Sequence, residues 1–241
     1  MDHVADLHRD GLAMAAAAEG AGLDAPVASC PGWDVARLLA HTAKVFERST
    51  LVVRDGLLAP PDRDAFSPFP EGEAGVARFR EIHAEVVDVL RSCDPTAPAW
   101  NFTGDDLTAG FWRRRMANEV AIHRWDAEQA AGAPTPVVAD RAVDGIDELV
   151  TVMLPAIAPL KNPGMQGSYH LHCTDVDGEW LTVFADGAAT TTREHAKGDL
   201  AVRGPASSLF LWAWNRVPVG EQGLESFGDP ALLEAWTSVL P

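Results

Sequence analysis

The sequence is poor in cysteine and in basic residues, and both shortages narrow the possible functions. Its three cysteines, Cys30, Cys93 and Cys173, are widely spaced and form no CxxC pair. This predicts reduced thiols in a cytoplasmic protein rather than a disulfide framework. Only 19 Lys and Arg oppose 35 Asp and Glu, which gives a formal charge of −16. Because proteins that grip phosphate backbones need clustered cations, we expect neither a nucleic-acid partner nor an anionic membrane.

Long apolar runs and nucleotide-binding motifs are also missing. No stretch approaches the roughly 18–20 apolar residues that cross a bilayer. The segment MDHVADLHRDGLAMAAAAEG lacks the basic region of a signal peptide. Without a G-x-S-x-G, Walker or G-x-G-x-x-G motif, nothing supports a serine hydrolase, a nucleoside triphosphatase or a dinucleotide-dependent enzyme. Hydrophobic residues still make up 47% of the chain, which is enough for a well-formed core.

Helical periodicity dominates the first half of the chain. It predicts helices over 3–19, over 35–54 after an Asp34 cap, over 73–92, and from a Thr108 cap to about residue 132. The proline-rich segment 57–71 is predicted to be a loop. Four amphipathic helices of this length most commonly bury their apolar stripes as an all-α bundle.

The second half of the chain changes its pattern after the proline-rich segment 133–136. We therefore predict two domains, a helical bundle over 1–134 and a small α+β domain over 137–241. An Asp177-Gly178 turn between two apolar-alternating runs is typical of a β-hairpin. The predicted order is a helix over 140–157 closed by Pro159, strands over 169–173, 180–184, 188–193 and 200–203, a helix after Gly204-Pro205, and a last helix over 229–240.

Glu119 and His123 are the residues whose spacing points most directly to chemistry. They lie four positions apart in the fourth predicted helix, so both side chains project from one face. Inward-pointing carboxylate and imidazole groups of this kind hold metal ions in helix bundles. His41, within the apolar sector of the second helix, is the best candidate for a third ligand. Such a set would hold Zn²⁺ or another divalent cation with an open fourth position, as catalytic zinc sites do.

Each of these residues also has an ordinary structural explanation. A Glu–His pair at i, i+4 stabilises exposed helices, and a histidine in an apolar stripe can simply pair with a backbone carbonyl. His170 and His172 share one face of a predicted strand. Because the sequence shows no carboxylate or third histidine near them, we interpret this pair as structural.

Three segments resemble a known family. The segment CPGWDVARLLAH at 30–41 resembles the PGW-x-V-x-x-L-x-x-H opening of the mycothiol-dependent maleylpyruvate isomerase family, which belongs to the DinB-like metalloenzyme superfamily. The segment RRMANEVAIHRWDAE at 114–128 is similar to the family's E-x-x-x-H-R-W-D-A block, and GPASSLFLWAWNR at 204–216 resembles its closing motif. In one departure, Asn215 precedes Arg216 where the family commonly has glycine.

The resemblance implies a fold, a metal and a cosubstrate. The fold is a DinB-like four-helix bundle followed by a small α+β domain that is sterol-carrier-like in outline. The family's zinc ligands fall on His41, Glu119 and His123. Mycothiol, a small cysteinyl thiol, would enter as a thiolate for cis–trans isomerisation of, or S-transfer to, a small electrophile such as an unsaturated acid.

Charged residues near these motifs are expected to hold the anionic groups. Arg203 and Arg216 are predicted to be catalytic. Arg113, Arg115 and Asp126 are predicted to be cofactor-binding, with Asp126 orienting the His123 imidazole. Surface pairing with acids would equally explain the individual arginines.

The expected partners are mycothiol and a small-molecule substrate, with the chain acting as a monomer or a homodimer. One alternative is a non-enzymatic binding module with an apolar pocket in its second domain. Another is a hydrolase that uses zinc-bound water.

Overall fold

The computed structural model describes residues 1–66 and 68–239, and the chain divides into two units, Met1–Thr135 and Pro136–Pro241. The first unit contains the four predicted helices, and Ser67 of its predicted loop lies outside the described residues. A short 3₁₀ turn, Arg63–Ala65, lies within that loop. The helices are α1 (His3–Ala21), α2 (Val35–Arg54), α3 (Glu73–Ser92) and α4 (Ala109–Ala130).

The fourth helix is the most enclosed element of the bundle. α1 packs against α3 and α4, and α2 packs against the same two helices. From Arg115 to Ala127 every residue of α4 is buried except Glu119, which is partly accessible. Polar side chains on this stretch must therefore find partners inside the protein, because a buried polar group without one is costly.

The starts of α2 and α4 are fixed by short β-bridges. Pro26 pairs with Asp34 before α2, and Pro98 pairs with Thr108 before α4. The predicted Asp34 cap is confirmed, since its carboxylate accepts from the Arg37 backbone N–H at 2.7 Å. Thr108 occupies the N-cap position of α4, but its hydroxyl donates to the Asp106 carboxylate instead of capping the helix.

The second unit is a mixed five-stranded sheet packed with helices, which confirms the predicted α+β class. The strand order is β3-β2-β1-β4-β5, with β1 and β4 parallel and the other neighbours antiparallel. The elements are α5 (Ala139–Glu148), α6 (Leu154–Lys161), β1 (Gly167–Cys173), β2 (Glu179–Ala185), β3 (Ala188–Thr192), β4 (Leu200–Gly204), α7 (Ala206–Ala213), β5 (Glu225–Gly228) and α8 (Pro230–Thr237).

Three details of the second unit differ from the predictions. The first helix is interrupted by a π-helical turn, Leu149–Met153, and resumes as α6 through Pro159 to Lys161. This restart places Pro155 in a first helical turn, where its missing N–H costs little. Strand β5 was not predicted, because its four residues lack a clear alternation. The last helix ends at Thr237, short of its predicted end at Leu240, which lies outside the described residues.

Strand β1 separates an apolar face of the sheet from a polar one. Tyr169 and Leu171 are buried, and the Tyr169 ring contacts Trp236 of α8. His170 and His172 alternate with them and therefore lie on the opposite face. None of the described helices combines the length and the apolar character needed to span a bilayer.

Candidate metal centre

The three predicted ligands meet between α2 and α4. His41 comes from α2, while Glu119 and His123 come from successive turns of α4. Glu119 Oε1 lies 3.3 Å from His41 Nε2 and 3.4 Å from His123 Nε2. The candidate ligand atoms of all three side chains lie within 4.8 Å of one another. The structure thus brings together residues that are 78 positions apart.

These separations suit one four-coordinate ion. In a tetrahedron with zinc–ligand bonds of about 2.0–2.1 Å, neighbouring ligand atoms lie about 3.3–3.4 Å apart. Both distances measured from Glu119 Oε1, 3.3 Å and 3.4 Å, fall in that range. Two imidazoles and a carboxylate are also a donor set that zinc accepts. The residues present therefore fit a divalent ion and leave its fourth position free for another ligand.

Asp126 lies behind His123 and fixes its orientation. Asp126 Oδ2 lies 2.9 Å from His123 Nδ1, and the Ser29 hydroxyl donates to Oδ1 at 2.6 Å. Burial by itself lowers the pKa of His123, but its hydrogen bonds to Asp126 and Glu119 more than offset this, so the pKa lies above its usual value. A bound cation would take the place of the proton on Nε2, while Nδ1–H stays with Asp126.

Arg115 holds the other oxygen of Glu119. It lies one turn before Glu119 on α4 and donates to Oε2, which leaves Oε1 facing the two imidazoles. Burial alone raises the pKa of Glu119, but the Arg115 charge and the hydrogen bonds from His123 and His41 outweigh it, so the pKa lies well below its usual value. Glu119 is therefore an anion at neutral pH, as a metal ligand must be.

His41 marks the accessible side of the centre. Its side chain is 39% exposed, whereas that of His123 is 8% exposed. The Trp33 ring packs against His41, with ring centroids 4.9 Å apart. The Arg37 guanidinium lies over the same Trp33 ring, 5.0 Å from its centroid. Sequence reasoning did not select Ser29 or Trp33. Trp33 could have been selected, because it belongs to the PGW segment that resembles the family motif. No sequence pattern pointed to Ser29.

The remaining predicted residues lie elsewhere in their own units. Arg113 does not join the cluster, because its guanidinium donates to the backbone carbonyls of Leu90 and Cys93 at the end of α3. In the second unit, Arg203 pairs with Glu225 at 2.8 Å and Arg216 donates to the Trp214 carbonyl at 2.6 Å.

Comparison with known sequences places this chain in a family. Residues 4–128 match the mycothiol maleylpyruvate isomerase N-terminal domain, and residues 140–235 match the MDMPI C-terminal domain. The two matches together span most of the chain. The chain therefore belongs to the mycothiol maleylpyruvate isomerase family, and it is an enzyme of the mycothiol-dependent isomerase class. No curated protein matches its sequence.

A solved structure has the same arrangement of elements. It is described as the crystal structure of the mycothiol-dependent maleylpyruvate isomerase, and it covers 93% of this chain and 91% of its own with a TM-score of 0.64. Because sequence identity is 14%, the likeness concerns the fold. It confirms the predicted architecture of a four-helix region followed by an α+β region.

Proposed function

We propose that the chain uses a divalent metal ion, held by His41, Glu119 and His123, to present mycothiol as a thiolate to a small electrophile. In the isomerase form of this reaction, sulfur adds to the cis double bond of an unsaturated acid such as maleylpyruvate. Rotation about the resulting single bond and expulsion of the thiol give the trans isomer. The thiol is returned unchanged, so the reaction consumes no oxidant or reductant.

The spacing of the donor atoms carries this proposal. Glu119 Oε1 lies at a tetrahedral edge length from both imidazole nitrogens, and the partly exposed His41 leaves one side of the centre open. A bound dication lowers the pKa of a coordinating thiol, so that sulfur carries the negative charge that makes it nucleophilic. A Glu–His pair that only stabilised an exposed helix would not need buried partners. Here Glu119 pairs with the buried Arg115, and His123 pairs with the buried Asp126.

The chain's own residues have distinct parts in this proposal. Asp126 keeps the proton on His123 Nδ1, and Arg115 neutralises the Glu119 oxygen that faces away from the imidazoles. Trp33 restricts the His41 ring to its present orientation. These residues hold the ligands in place before substrate arrives, which avoids reorganisation during the reaction.

Arg203 and Arg216 remain the proposed groups for the substrate carboxylates. We expect Arg203→Gln to raise the KM for a dicarboxylate substrate while leaving the metal content unchanged, because Arg203 pairs with Glu225 and belongs to no metal-ligand set. The three free cysteines agree with a proposed cytoplasmic location, where low-molecular-weight thiols stay reduced.

Metal analysis of purified variants tests the centre. We expect His41→Ala, Glu119→Gln and His123→Ala each to remove an ion that wild type retains, whereas the exposed His8→Ala on α1 retains it. Metal content unaffected by all three ligand changes would contradict the proposal.

Turnover assays test the thiol. Isomerisation of maleylpyruvate by the zinc-loaded protein is expected to require mycothiol. If the thiol is consumed and appears in a stable conjugate, the reaction is S-transfer. Equally fast turnover without any thiol would instead favour a hydrolase that uses metal-bound water.

A further inference from the structure

A second group of metal-binding side chains lies on the polar face of the sheet in the second unit. His170 and His172 project from β1, and the hairpin register places Glu179 of β2 directly opposite His172. Candidate ligand atoms of these three residues lie within 4.8 Å of one another. The expectation that this histidine pair has no carboxylate near it is therefore wrong, because the β1–β2 hairpin supplies one. His195, beyond β3, reaches the same carboxylate.

Three imidazoles converge on one oxygen atom of Glu179. Glu179 Oε1 lies 2.7 Å from His170 Nε2, 3.1 Å from His172 Nδ1 and 2.5 Å from His195 Nδ1. A carboxylate oxygen offers two lone pairs, so three imidazole donors exceed its capacity.

We propose that His170, His172, Glu179 and His195 form a second binding site for a divalent cation of the zinc type. Imidazole nitrogens together with one carboxylate oxygen are the ligands that zinc and its neighbours in the first transition series prefer, whereas magnesium and calcium favour oxygen. Two residues on one strand face and a third on the adjacent strand give a rigid base of three ligands. His195 supplies a fourth that can dissociate, because its side chain is 83% exposed.

This site differs from the bundle centre in its support. Behind His123 stands the buried Asp126, whereas each of His170, His172 and His195 has Glu179 as its hydrogen-bond partner. Loss of such support typically lowers metal affinity 10–100-fold. We therefore expect the second site to bind zinc about 10–100-fold more weakly than the bundle centre.

A pocket in the same unit borders two of the four proposed ligands, His170 and His195. It has a volume of about 770 Å³ and is lined by His170 and His195 together with Lys197 and Asp199. Phe227 and Leu232 also line this pocket, so its wall is part charged and part apolar. The charged part suits exchange of the cation and entry of a small polar ligand at the position that His195 can vacate.

Zinc titration of four proteins tests the proposal: wild type, His41→Ala/His123→Ala, His172→Ala/Glu179→Gln, and the control His8→Ala. Native mass spectrometry is expected to show two ions on wild type and on the control, and one ion on each double variant. Cobalt provides a second readout, because tetrahedral Co²⁺ absorbs strongly in the visible range. The bundle-centre variant should still give this absorption, and it should bind the metal more weakly than the sheet-face variant does.

Glu179→Gln alone separates a metal site from a structural hydrogen-bond centre. The glutamine carbonyl still accepts hydrogen bonds from the imidazoles, so thermal stability without metal should change little, while zinc affinity at this site should fall at least about tenfold. The proposal is overturned if His41→Ala/His123→Ala binds no zinc or cobalt at stoichiometric concentration. It is equally overturned if the sheet-face double variant, folded by circular dichroism, still binds two ions.

Discussion

Asp126→Asn is the substitution that best tests how the bundle centre is held. Asp126 is fully buried, with Ser29 donating to Oδ1 and with His123 and, at 3.8 Å, the Cys30 thiol on Oδ2. Asparagine has a single acceptor oxygen, so at least one of these donors loses its partner. It also removes the negative charge that keeps the proton on His123 Nδ1. Without that anchor the ring can place its proton on Nε2, where the lone pair for the metal is needed.

The expected cost follows from similar contacts behind zinc-binding histidines. Their removal lowers affinity 10–100-fold, which corresponds to about 1.4–2.8 kcal/mol of binding free energy. Competition with a chromophoric chelator measures the zinc affinity directly. The loss of negative charge should also lower the pKa of His123, because the hydrogen bond to Asp126 is the largest of the effects that raise it. Protons would then compete with zinc for His123 only at a lower pH than in wild type.

Ser29→Ala is the matched control. It removes the hydrogen bond from Ser29 to Asp126 but leaves the 2.9 Å contact between Oδ2 and His123 intact. We expect it to cost about 1 kcal/mol of folding stability and to weaken zinc binding less than Asp126→Asn does. The reasoning is refuted if Asp126→Asn folds like wild type and binds zinc equally tightly.

Three further predictions concern the two units separately. Arg115→Met should cost about 3 kcal/mol in urea unfolding of the metal-free protein, because it removes the cation that balances the Glu119 carboxylate, and less when zinc is present; equal losses in both states would contradict this. Burial lowers the pKa of His83, although its hydrogen bond to a backbone carbonyl raises it, so the folded protein binds fewer protons there than the unfolded chain. Stability from this group is present above about pH 6.5 and is lost as the pH falls, and His83→Leu should flatten that decline in urea titrations from pH 7 to 5. A Cβ at Gly145 would lie 2.4 Å from the Phe210 ring, so Gly145→Ala should lower stability by about 1–3 kcal/mol, whereas the open Gly20→Ala should raise it by up to about 1 kcal/mol; thermal melts compare the two.

The helices of the first unit were predictable because their signals are local. Apolar spacing, a cap such as Asp34 and breakers such as Asp55-Gly56 act within a few residues, and the observed ends of α2 and α3 agree with them. Strand β5 was missed because Glu225–Gly228 forms a strand only by pairing with β4. Pairing of that kind has no local signature in four residues.

Asn215 shows that a departure from a family pattern can be read in physical terms. It follows α7 with a φ of 62°, in the left-handed region that glycine enters freely. Asparagine is among the few other residues that tolerate this conformation. The turn expected from a family glycine therefore survives the replacement, and Arg216 follows it in sequence as the family pattern requires.

Within the candidate sites, predictability depended on how far apart the partners lie in the chain. Helical phase alone places Arg115, Glu119 and His123 on one face of α4, and it places Arg113 about 240° around the helix from Glu119, at 100° per residue. Ser29 reaches Asp126 across 97 residues, a distance over which no periodic pattern acts. Glu179 is an intermediate case, because the sequence predicted the hairpin but not its register. A two-residue Asp177-Gly178 turn would pair residue 176 with residue 179, whereas the observed register places Glu179 opposite His172. Both that register and the approach of His195 required the folded chain.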